Sequence, residues 1–75
     1  MSDQDIITRV IRMCDEGFSA HSAANYERIT AALGDIENPT EATEKAARLG
    51  EAGPTLASPR FAYPHIKSAL RASST

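Results

Sequence analysis

Thirteen of this chain's 31 apolar residues are alanine. That ratio limits the fold more than any motif does. Eighteen larger apolar side chains are left to organise 75 residues, and one of them is Met1. A chain this short buries only ~60% of the surface its unfolded form exposes. Many of its internal contacts must therefore be close backbone approaches rather than bulky ones. The length allows one domain, residues 1–75. No apolar run nears the ~18 residues of a membrane span. Asp3 and Asp5 stand where a secretory signal would carry basic residues. The lone Cys14 rules out an internal disulfide and points to a reducing, cytoplasmic setting.

Apolar periodicity and chain breakers predict an all-α fold of three to four helices, near 3–16, 20–33, 39–49 and 64–72. In the first, Ile6, Ile7, Val10, Ile11 and Cys14 form one helical stripe. Ser2 with Asp5 resembles a capping box. Gly17 is expected at the left-handed C′ position, with Phe18 folding back toward Met13. The second helix starts at Ser19 or Ser22, carries Tyr26, Ile29 and Leu33 inward, and stops at Gly34. The third is expected to use Asn38 as N-cap, with Pro39 at N1 and Glu41 at N3. It offers Ala42, Ala46 and Leu49, and stops at Gly50. The expected core is Ile7, Val10, Ile11, Cys14, Phe18, Tyr26, Ile29, Leu33 and Leu49.

Beyond residue 51 the pattern changes. Pro54, Pro59 and Pro64 recur every five residues, with Leu56, Phe61 and Ile66 two places after each. Five is neither a helix nor a strand period. This Pro-rich stretch, 51–63, is expected to be extended or one-turn helical. Pro64 then opens a last helix with Ile66, Ala69 and Leu70 inward, and residues 72–75 fray.

The residues offer little chemistry. Cys14, His21 and His65 lack the paired spacings of a zinc site. Cys14 lies on an apolar stripe beside Asp15 and Glu16, the opposite of an activating setting. No nucleophile elbow, P-loop or dinucleotide fingerprint is present. The expectation is a non-enzyme with no metal or cofactor.

Two stretches carry a helix-turn-helix pattern. In Glu44 to Leu56, the residues Ala46, Gly50 and Leu56 take the small, turn and apolar positions. This resembles the helix-turn-helix family over about 15 residues, until Pro59 interrupts the reading helix. Alternatively, the second helix, Gly34 and the third helix as reader, followed by a wing at 54–64, resemble a winged-helix domain over about 50 residues. The resemblance implies a DNA-binding regulator contacting DNA through Thr40, Lys45, Arg48 and Arg60. Glu41 and Glu44 at the reading end oppose it, as does a net charge of −2.

The favoured expectation is a small regulator or inhibitor that binds another protein, of a kind mobile elements encode. Arg60, Phe61 and Tyr63 supply the residue types enriched in interface anchors. A thin core is often completed by association. The wide apolar stripe of the first helix accordingly points to a homodimer with that stripe at its seam.

Overall fold

A computed structural model describes residues 2–20 and 22–73. It is all-helical among those residues, with no strand. The elements are α1 (Asp3–Ser19), α2 (Ala23–Gly34), α3 (Glu41–Ala52) and α4 (Ala62–Ser73). Single 3₁₀ turns at Gly53–Thr55 and Pro59–Phe61 lie between α3 and α4. The stretch expected to be extended or one-turn helical thus takes the helical alternative twice: Pro54 is the second residue of the first 3₁₀ turn and Pro59 the first residue of the other, positions whose N–H needs no helical partner. The last helix runs to Ser73 rather than fraying at 72; residues 74 and 75, like His21, lie outside the described residues. No described helix is long and apolar enough to cross a membrane.

α1 starts as expected. The Ser2 hydroxyl accepts from the Asp5 N–H at 3.2 Å, and the Asp5 carboxylate accepts from the Ser2 N–H at 3.4 Å. Its end differs. The helix continues through Gly17 to Ser19, and no described residue has a positive φ. Gly17 lies on the buried stripe with Ile7, Val10 and Cys14 and receives the ring of Tyr63. It is a close-approach site rather than a stop. Gly50 is likewise buried inside α3, facing Thr30. The cap of α3 is Thr40, not Asn38: Thr40 and Thr43 accept from each other's backbone N–H at 3.2 and 2.7 Å. Ser22 caps α2 without a side-chain hydrogen bond.

α4 packs against both α1 and α3, and α2 packs against the same two helices. The core between them holds Ile6, Ile7, Val10, Cys14, Tyr26, Ile29, Leu33, Ile36, Ala46, Ala62, Tyr63, Ile66 and Leu70. Ile11 and Leu49 are only half-buried, and Phe18 is on the surface. The α1 stripe expected to meet a second chain packs against α4 and α2 of the same chain. The radius of gyration is 11.0 Å, close to the ~11 Å expected of a compact body of this length.

The connection from α2 to α3 crosses the start of α1. There the Asp3 carboxylate accepts from the N–H groups of Glu37 and Asn38 at 2.9 and 3.1 Å. This tie lies beside the buried Ile36 and brings the end of α2 to the start of α1, so the two helices run antiparallel.

Candidate interaction site

The chain has two phenylalanines and two tyrosines. It buries both tyrosines and exposes both phenylalanines. Phe61 is 60% exposed, Phe18 42% and Leu56 43%.

The site is built from the core outward. Tyr26 on α2 and Tyr63 on α4 stack face to face in the interior. Gly17 and Gly53 make room for them: a Cβ at Gly17 would lie 2.5 Å from the Tyr63 ring, and one at Gly53 would lie 2.6 Å from the Tyr26 ring. The Tyr26 hydroxyl donates to the carbonyl of Pro59. That bond fixes the Pro59–Phe61 turn against the bundle, next to the last turn of α1. Arg60 and Phe61 are thereby positioned by buried groups while remaining exposed themselves.

The Arg60 guanidinium lies over the Phe18 ring, 5.8 Å from its centroid, within cation–π range. Phe18 also walls a cleft of about 320 Å³ between α1 and α4, whose lining includes Cys14, Tyr63, Pro64 and the Asp15–Lys67 pair. That pair closes at 2.6 Å. Burial, with Asp15 adding to it and Lys67 opposing, pushes the Cys14 thiol up to about 12. It therefore stays protonated at neutral pH, a poor nucleophile in a cleft suited to an apolar side chain. Among the described residues, no group of three or more His, Cys, Asp or Glu could hold a metal ion.

Of the three residues expected to anchor a partner, Arg60 and Phe61 are on the surface together. Tyr63 is in the core at 1% exposure and acts from beneath. Phe18, assigned by sequence to the core, is the third surface member. The signal for it was present: the stripe Ile7, Val10, Cys14 extends by helical spacing to position 17, which turns position 18 outward.

The residues named for DNA contact fare differently. Thr40, Lys45 and Arg48 are exposed along α3, but Glu41 and Glu44 share its first turn. Arg60 is engaged with Phe18 on α1. The α2–α3 connection spans six residues, 35–40, where a helix-turn-helix uses about three or four. The other register fails because Gly50 lies inside α3 and the chain after Leu56 enters a 3₁₀ turn rather than a second long helix. No described strand pair forms a wing at 54–64.

Compared with protein-family models, curated proteins and solved structures, the chain matches none.

Proposed function

We propose that this protein is a small non-enzymatic regulator or inhibitor, acting in the cytoplasm, that docks onto a partner protein through Phe18, Arg60 and Phe61. One observation carries the reading. In a chain short of large apolar side chains, both phenylalanines are left in solvent while two tyrosines, whose hydroxyls need partners, fill the core. Fully burying a Phe contributes about 1.5–3 kcal/mol. Forgoing about half of that at each ring makes sense where the rings serve a contact instead, and exposed aromatic clusters mark such contacts.

Charge limits the partner. From position 52 onward the sequence holds Arg60, Lys67 and Arg71 and no Asp or Glu. The complementary surface is an apolar pocket or helix face flanked by carboxylates.

The test is a photo-crosslinking amino acid placed at position 61, at position 18 and, as control, at Gly34, in the source cells. The expected result is one common protein adduct from positions 61 and 18, absent from Gly34 and lost with Arg60→Glu. Equal labelling from all three positions would overturn the proposal. So would salt-sensitive retention of duplex DNA abolished by Lys45→Glu with Arg48→Glu, which would favour the DNA-binding reading.

A further inference from the structure

We infer that the groove between α1 and α2, remote in character from the aromatic site, is the seam of a symmetric homodimer, its occupant a second copy of this chain. The groove has a volume of about 840 Å³ and a floor that includes Met13 and Ala32, both half-buried. Its rim carries six exposed charges: Arg9, Arg12 and Arg28 against Glu16, Asp35 and Glu37. None of the six is in an ion pair among the described residues.

Their order along the groove is what selects the occupant. The Asp3 tie to Glu37 and Asn38 puts the end of α2 beside the start of α1. Asp35 and Glu37 therefore mark that end. Arg28 precedes Asp35 by seven residues, which at 1.5 Å per residue is roughly 10 Å. The antiparallel arrangement sets Arg12 of α1 near the same level as Arg28. The groove thus reads acidic at one end and basic about two turns along. A two-fold rotation lays the Asp35–Glu37 end of each copy over Arg12 and Arg28 of the other, and the two apolar floors meet between them. Such self-complementarity is what an isologous interface requires. A rim with three charges of each sign gives no net attraction to an anion or to a basic peptide, whereas four of the six match their own rotated image; Arg9 lies near the two-fold and Glu16 one turn beyond Arg12, outside the pairings. The seam includes Met13 of α1 and leaves the Phe18–Phe61 end open to its partner.

Sedimentation equilibrium on the full chain tests this. The wild type should show twice the 8.1 kDa chain mass, falling toward the single-chain mass as added salt screens the pairs. Two charge-reversed variants should each run as monomers with unchanged helical circular dichroism: Arg12→Glu with Arg28→Glu, and Asp35→Arg with Glu37→Arg. Mixed in equal amounts, they should return to the double mass as a heterodimer. A wild type at 8.1 kDa up to high micromolar concentration, variants that stay dimeric, or folded monomeric variants that fail to pair on mixing would each overturn the inference. If a variant loses helicity, the wild-type mass and its response to salt still decide.

Discussion

The rings of Tyr26 and Tyr63 lie parallel, with 4.3 Å between centroids and 5° between planes. They join α2 to α4 through the centre of the bundle. Each ring faces a glycine on a further element, Gly53 for Tyr26 and Gly17 for Tyr63. Two large side chains and two absent ones thus make one packing unit, which suits a chain rich in alanine. The same unit holds the Pro59–Phe61 turn through the Tyr26 hydroxyl, so core and surface site are mechanically one piece.

Gly17→Ala should destabilise the protein although alanine is the better helix former by about 1 kcal/mol. The added methyl would lie 2.5 Å from the Tyr63 ring, and overpacking of this kind costs about 1–3 kcal/mol. Gly34→Ala should do the opposite, since nothing lies within 4 Å of its Cβ position; a gain of up to about 1 kcal/mol is expected. Denaturant melts of both variants check the contrast. Recovery of Gly17→Ala in a Tyr63→Leu background would tie the loss to that ring.

Asp3→Ala should cost about 1 kcal/mol by removing two backbone hydrogen bonds at an exposed position. The local effect should be sharper. Amide exchange at Glu37 and Asn38 should accelerate, with α4 unaffected. Unchanged exchange at those two amides would mean that the α2–α3 connection is held by Ile36 alone.

Stability should fall at alkaline pH. Burial raises Cys14 from 9.0 to about 12 and Tyr26 from 10.0 to about 12, with Asp15 and Tyr63 respectively adding to it. Burial raises Tyr63 as well. The unfolded chain releases these protons first, so above pH 9.0 the folded state binds more protons and its stability declines with each further increase. The contribution is fully present below that pH and is lost by about 12. Thermal melts across this window should show the decline, and Cys14→Ala should move its onset toward the tyrosine range. A flat profile would contradict the burial of all three groups.

The sequence made the helical class legible because its apolar spacing follows 3.6 residues through α1 and α2. It left the turns at 53–55 and 59–61 open between extended chain and single helical turns, since five-residue proline spacing matches no regular element. The glycines misled for a physical reason. A glycine at the end of an apolar stripe reads equally as a stop or as room for a neighbour, and the neighbour, Tyr63, is 46 places away in the chain. Taking Gly17 as a stop placed Phe18 in the core and left Tyr63 on the surface. Arg60, Phe61 and Tyr63 were named by residue type, which does not separate the two that lie on the surface from Tyr63, which α4 turns into the core. Ile36 was missed because it lies in a connection, held by a long-range tie to Asp3 with no local signature.

The account depends most on Phe18 and Phe61 serving a contact rather than the fold. Thermal unfolding of the double variant Phe18→Ser, Phe61→Ser tests that directly. With Phe18 42% and Phe61 60% exposed, the two rings together bury about one ring's worth of surface, and the expected loss is about 3 kcal/mol or less. A loss of about 6 kcal/mol or more, twice the least cost of removing one phenylalanine from a core, would place both rings in the folding core and contradict the docking surface.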